Sequence, residues 1–208
     1  VVRRISAVAP EGIVIKNLHE DHAVMALQGP LAHEVLSDLG IASSLDYMSF
    51  EETQISEKKI ILCRTGYTGE RGYEILSTSS DAKIVWSAII ESVERHGGRV
   101  AGLGARDTLR TEMGYPLHGH ELTLAISPVE ASASWAVSWD KEFWGKKAML
   151  AQRESKNHRS LHAIKIDDRG IPRADMAVFD EDNQEVGVVT SGTFSPTLKT
   201  GIALALLS

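Results

Sequence analysis

Cysteine is almost absent. Cys63 stands alone among 208 residues, which excludes a disulfide-stapled scaffold and is compatible with a reducing compartment. No apolar run approaches the roughly 18 residues of a membrane-crossing helix. There is no excess of positive charge: 22 Lys and Arg face 28 Asp and Glu, a net charge of −6. That balance argues against a broad electrostatic grip on nucleic acid. Neither apolar residues (43%) nor charges (24%) depart from ordinary globular values, which excludes wholesale disorder. No serine sits in a G-x-S-x-G elbow. The first residues, Val1-Val2-Arg3, include no initiator Met and no signal-like stretch, so the compartment is not readable there. The last eight residues are mostly apolar. Both ends read as cut from a longer chain.

What is present is mixed α and β. The length suits one large domain or two modest ones, with a core that needs no staples. Residues 13–16 and 23–27 are short apolar runs suited to buried strands. Gln28-Gly29-Pro30 ends the second run, and Pro30 sits well in the first turn of a helix over 31–39, with Gly40 as its left-handed cap. Residues 60–63 and 73–76 read as strands flanking Thr65-Gly66-Tyr67-Thr68-Gly69-Glu70-Arg71-Gly72. Glycines at 66, 69 and 72 offer positive φ and close backbone approach. Ser80 is a candidate cap for a helix over 81–96, with Ile84, Val85, Ala88, Ile89 and Val93 inward and Gly97-Gly98 at its end. The pattern is that of an α+β domain. A helix over 103–113 follows, on which Arg106 and Arg110 share a face. Ser127-Pro128 looks like another helix start, residues 135–139 alternate like a strand, and residues 145–156 form a polar amphipathic helix. Beyond them, short runs at 161–166, 176–179, 186–190 and 202–206 alternate with turn-rich segments, as in a small all-β unit. We place the boundary inside the charged stretch 152–159, giving segments 1–155 and 156–208.

Several groups of residues bear on chemistry. GLGARD at 102–107 begins like a dinucleotide fingerprint but lacks the third glycine and a ribose-binding acid, so a tight turn into a helix is the simpler reading. His118-Gly119-His120-Glu121 resembles part of a metal site, yet no third ligand stands at a recognised spacing; surface turn histidines serve as well. Glu74, just after the glycine turn, is either a solvated carboxylate or a clasp. A carboxylate accepts two parallel hydrogen bonds and so suits the planar N–H/NH2 edge of a pterin or guanine. Arg106 offers a forked donor for a carboxylate or ring carbonyl, or else a surface ion pair with Asp107 or Glu112. Tryptophans 135, 139 and 144 line a flat-ring pocket or simply pack in core and rim.

Seven segments in order complete a pattern: ALQGP at 26–30, RTGYTGERGYEI at 64–75, GLGARDTLR at 102–110, LHGHEL at 117–122, SPVEA at 127–131, FWGK at 143–146 and VTSGTFSPTL at 189–198. Together they resemble the T-protein of the glycine cleavage system, an aminomethyltransferase, over nearly the whole chain. The resemblance implies a folate-binding domain with ferredoxin-like strand–helix elements, followed by an incomplete small β-barrel. It implies transfer of the methylene of the aminomethyl group on the lipoyl arm of H-protein to tetrahydrofolate, with release of ammonia. By matched position, Tyr67, Glu74, Arg106 and Trp135 are folate-pocket residues. Arg110 is structural support on the same helix face as Arg106. No catalytic residue and no metal ligand is assigned within the chain.

The resemblance has departures. Arg71 stands where relatives carry an acid, and His118 where tyrosine is common. The family's pterin-contacting aspartate belongs to a more N-terminal region, and the strands completing the barrel follow Leu207. The implied partners are tetrahydrofolate as co-substrate and lipoylated H-protein, with no nucleic acid and no membrane. The compartment would be cytoplasmic in a bacterium and the mitochondrial matrix in a eukaryote. Two rivals share the scaffold. The folate domain of a sarcosine or dimethylglycine dehydrogenase would follow a flavin-binding region. A tetrahydrofolate-binding scaffold protein would carry a cysteine inside the glycine turn, where this chain has none.

Overall fold

The glycine turn is held within a sheet whose order is not its order along the chain. The computed structural model describes residues 2–155 and 157–208, and divides into two compact units on either side of the Ala101–Gly102 bond. The first unit opens with a short exposed helix, α1 (Val2–Ser6). It then runs through β1 (His22–Gln28), α2 (Ala32–Asp38), β2 (Phe50–Ile55), β3 (Lys58–Cys63), β4 (Gly72–Thr78) and α3 (Ala82–Arg95). The strands pair antiparallel in the order β1-β4-β3-β2. Strand alternation sets the two faces. Tyr73, Ile75 and Ser77 of β4 are buried, and Glu74 and Leu76 point the other way. The core joins Met25 and Leu27 of β1, Ile60 and Leu62 of β3, Val35 and Leu36 of α2, and Val85, Ile89 and Val93 of α3.

Several expectations meet their elements here. Gly40 and Gly97 take positive φ after α2 and α3. Others do not. Residues 13–16 form no strand, and Ile13 and Val14 are both exposed; so short an apolar run carries too little periodicity to specify a partner. Asp81, not Ser80, occupies the cap position of α3, and the Ser80 hydroxyl bonds Thr78 instead. Ile84 faces solvent.

The second unit holds α4 (Leu103–Glu112), a 3-10 turn (Ser134–Ala136), α5 (Lys146–Ser155) and the strands β5 (Ser160–Lys165), β6 (Ala177–Phe179), β7 (Glu185–Ser195) and β8 (Thr200–Leu207). These strands form a second antiparallel sheet, ordered β5-β8-β7-β6. It is open: among the described residues β5 and β6 are edges and do not pair with each other. Lys156, where the second segment of our division begins and the polar helix is expected to end, lies outside the described residues.

Two expectations fail in this unit for local reasons. Ser127 and Glu130 do form a capping box: Ser127 N–H donates to Glu130 Oε2 (2.9 Å) and Glu130 N–H to Ser127 Oγ (3.2 Å). Yet the helix they start is only a turn, because Ser132 takes φ +56°. Residues 135–139 fold back on themselves instead of extending, with Trp139 Nε1 donating to Ser134 O at 3.1 Å.

Strand β8 is buried along nearly its whole length. Its partner β7 carries a bulge: Val189 pairs with Ala205 but Ser191 with Leu204, leaving Thr190 as the extra residue. Val189 therefore faces the apolar cluster of Ala203 and Ala205, whereas Ser191, Thr193 and Ser195 face α4. Gly187 is needed for the strands to approach, since a Cβ there would lie 2.3 Å from the Leu206 carbonyl oxygen. Gly187→Ala is expected to lower stability by about 1–3 kcal/mol through overpacking. A denaturant midpoint equal to wild type would show that the backbone shifts freely at that position.

Candidate functional site

The turn between β3 and β4 is folded around one side chain, Gln28, at the end of β1. Its Nε2 donates to the carbonyls of Thr65 (3.2 Å) and Tyr73 (3.0 Å), and its Oε1 accepts from Thr68 Oγ1 (3.0 Å). A Cβ on Gly66 would lie 2.2 Å from Gln28 Oε1, and one on Gly72 would lie 2.4 Å from Gln28 Cδ. Both glycines are thus the space that the amide fills, while Gly69 supplies the positive φ of +78°. Arg64 closes the loop from the other side. Its guanidinium donates to Gly72 O at 2.8 Å and lies over the Tyr73 ring at 5.1 Å. Gly29 N–H donates to Arg71 O at 2.8 Å. The buried Thr68 hydroxyl also receives the Glu70 N–H (3.3 Å).

Tyr67 is half-buried on this turn. Glu74 follows on β4, half-buried, on the sheet face opposite α2 and α3. Its ladder neighbours are Ala26 and Cys63. Thr65 Oγ1 donates to Glu74 Oε2 at 2.6 Å, a short charge-assisted bond that fixes the rotation of the carboxylate. Burial, and then the charge of Glu74, push the Cys63 thiol above its ordinary pKa. That effect is the electrostatic trace of two side chains facing the same way.

In the second unit Arg106 is half-buried near the N-terminus of α4. Arg110, one turn on, is almost wholly buried (1% exposed). It reaches Asp107 (Nε, 2.8 Å), the Tyr115 carbonyl (3.2 Å), Glu121 Oε2 (3.2 Å) and Ser191 Oγ (2.7 Å). Glu121 is fully buried. Burial pushes its carboxyl up. Hydrogen bonds from Ser191, Thr190 and the Leu117 N–H, with the Arg110 charge, outweigh that and hold it below the ordinary carboxylate range. Asp107 is bonded by Arg110, and Glu112 accepts from Ser195 and Thr197.

Trp135 lies in the 3-10 turn, 82% exposed. Trp139 instead packs edge-on against Phe143 and lies under the Arg153 guanidinium at 4.3 Å. His120 bonds the Thr190 carbonyl (2.8 Å). Among the described residues no three His, Cys, Asp or Glu side chains group to hold a metal ion, and no helix is long and apolar enough to cross a membrane.

Tyr67 and Glu74 therefore share one turn-and-strand segment of the first unit, and Arg106 and Trp135 belong to the second. Sequence reasoning missed Gln28 as the center of the turn, Thr65 as the orienting hydroxyl, and Glu121 and Ser191 as partners of Arg110. The one local signal was a polar Gln ending an apolar strand before Gly-Pro.

Residues 1–141 match the family model of the GCVT N-terminal domain, and residues 159–208 that of the glycine cleavage T-protein C-terminal barrel domain. An aminomethyltransferase of Parafrankia sp. (strain EAN1pec) is 53% identical over the whole chain, which covers 57% of that protein. One from Mycobacterium avium (strain 104) is 50% identical, with 56% of it covered. The crystal structure of glycine cleavage system aminomethyltransferase T from Bartonella henselae superposes with a TM-score of 0.81 at 34% identity, over 89% of this chain and 51% of that one. The chain thus spans little more than half the length of the relatives it matches.

Proposed function

Because the chain belongs to the glycine cleavage T-protein family, we propose that it supplies pocket walls of a tetrahydrofolate-dependent aminomethyltransferase. The whole enzyme would take the aminomethyl group from the lipoyl arm of H-protein. It would pass the methylene to tetrahydrofolate and release ammonia and the dihydrolipoyl thiol. Residues 1–155 would form the folate-binding part and residues 156–208 the start of the barrel.

The observation that carries this reading is the presentation of Glu74. A carboxylate fixed by Thr65 at 2.6 Å, beside a turn locked around Gln28, is pre-organised for a planar donor edge. The amino-pyrimidine side of a pterin offers such an edge, with N–H and NH2 parallel. Tyr67 would wall the pocket beside it. Arg106 would complement a carboxylate or ring carbonyl with its fork, and the exposed indole of Trp135 would cover a flat ring. These residues align the acceptor and exclude water, which would otherwise capture the one-carbon unit.

The test is calorimetry on the full-length enzyme. Glu74→Gln is expected to weaken tetrahydrofolate binding roughly tenfold or more, because a donor then faces a donor. Unchanged affinity would remove Glu74 from the site. Arg106→Ala is expected to weaken it in the same direction.

A further inference from the structure

The second unit contains a buried charged triad that the proposed chemistry does not use. Arg110, Glu121 and Ser191 are 1%, 0% and 3% exposed, and each bonds the other two. Arg110 reaches Glu121 at 3.2 Å and Ser191 at 2.7 Å, and Ser191 Oγ donates to Glu121 Oε1 at 2.7 Å. The Leu117 N–H completes Glu121 at 2.8 Å. Three chain segments meet there: α4, the loop after it, and β7 just past its bulge. Two further links join α4 to β7, from Thr108 to Thr193 (3.4 Å) and from Glu112 to Ser195. Buried ion pairs are weak sources of stability compared with apolar packing of the same volume. They are strong sources of fixed geometry, and a guanidinium fork most of all.

We propose that this triad is a strut through which β7 sets the position of α4, and hence of Arg106 one turn upstream. Ser191 and Glu121 are then positioning residues for folate binding. The inference rests on the reading of Arg106 as a folate-pocket residue. Its physical basis is where α4 is anchored. Residues 101–105, around the helix start, are all exposed. The buried residues of α4 are Arg110 and Thr111, near its other end. The orientation of the Arg106 turn is therefore set from downstream, and the downstream anchor is polar and directional. A displacement of a few tenths of an ångström there is carried along a rigid helix to the ligand-facing fork. The bulge at Thr190 makes the contact possible, because it turns Ser191 toward the helix.

The test uses the full-length enzyme in steady-state assays well below its melting midpoint. Ser191→Ala keeps the ion pair and nearly the same volume but removes the bridging hydroxyl. It is expected to raise KM for tetrahydrofolate about three- to tenfold with kcat near wild type. Glu121→Gln keeps the shape and an acceptor toward Ser191, and is expected to move KM the same way. Arg106→Ala provides the reference. If Ser191 acts through Arg106, the double variant Ser191→Ala/Arg106→Ala has the KM of Arg106→Ala alone. A lowered melting midpoint with wild-type KM in either soluble variant, or fully additive effects in the double variant, would overturn the strut while leaving the site reading intact. Wild-type KM in Arg106→Ala would instead overturn the site reading, and the strut with it.

Discussion

Replacing Arg110 by methionine is expected to destabilise the second unit by about 3–5 kcal/mol, the cost of stranding a buried charge by removing its partner. Glu121 would keep Ser191 and the Leu117 N–H but would lose the Arg110 guanidinium. The Tyr115 carbonyl would lose the donor that Arg110 supplies. The effect carries a pH signature. In the wild-type chain the Glu121 carboxyl lies below its ordinary range. It therefore contributes stability that is complete above the unfolded-state pKa of about 4.3 and is lost as pH falls through the lower folded value. Arg110→Met removes one of the opposing causes, so the carboxyl moves up and the variant has less to lose on protonation. The stability gap between the two proteins should narrow as pH falls from 7 to below about 4. Denaturant titrations at neutral and acidic pH measure this, and a gap that widened toward acid would contradict the assignment.

Gly72→Ala should do comparable damage in the first unit. Its Cβ would lie 2.4–2.5 Å from Cδ, Nε2 and Oε1 of Gln28. A free glutamine would swing away cheaply. This one is held by three hydrogen bonds, to Thr65, Tyr73 and Thr68, so relief requires breaking them or moving the turn. Overpacking of about 1–3 kcal/mol then combines with lost bonds of about 0.5–1.5 kcal/mol each. Because Thr65 both receives Gln28 and orients Glu74, tetrahydrofolate affinity in the full-length enzyme should fall more than tenfold. Adding Gln28→Ala should restore part of the stability, by removing the clash, but not the affinity, which needs the ordered turn. Melting curves and calorimetry on the single and double variants separate the two effects. A melting midpoint unchanged by Gly72→Ala would mean that the glutamine is not locked.

Sequence order reveals local periodicity and hides distant partners, and both sides of that rule are visible here. Strands β3 and β4, helices α2 and α3 and the four barrel strands were readable because alternation, helical spacing and Gly or Pro punctuation act over a few residues. Strand β2 was not: Phe50-Glu51-Glu52-Thr53-Gln54-Ile55 is too polar to announce itself and exists through its pairing with β3. Residues 13–16 and 135–139 showed the reverse, with apolar or alternating runs that form no ladder. At the candidate site, the glycine turn pointed to Glu74 directly, whereas Tyr67 came only from the family resemblance. Gln28 escaped notice because its partners lie 37 to 45 positions away. Ser191 escaped it because it meets Glu121 and Arg110 across 70 and 81 positions. The His118-Gly119-His120-Glu121 segment invited a metal reading, yet its acid is the buried counterion of an arginine.

One added amino acid in β7 divides that strand between two masters. Up to Val189 its inward side chains belong to the oily interior of the barrel; from Ser191 onward they belong to a helix encoded some eighty codons earlier. A barrel transplanted from a homologue would serve the helix only if hydroxyl side chains stood at the positions of Ser191, Thr193 and Ser195. Hybrid enzymes built from this family should therefore be joined so that helix and strand come from the same parent.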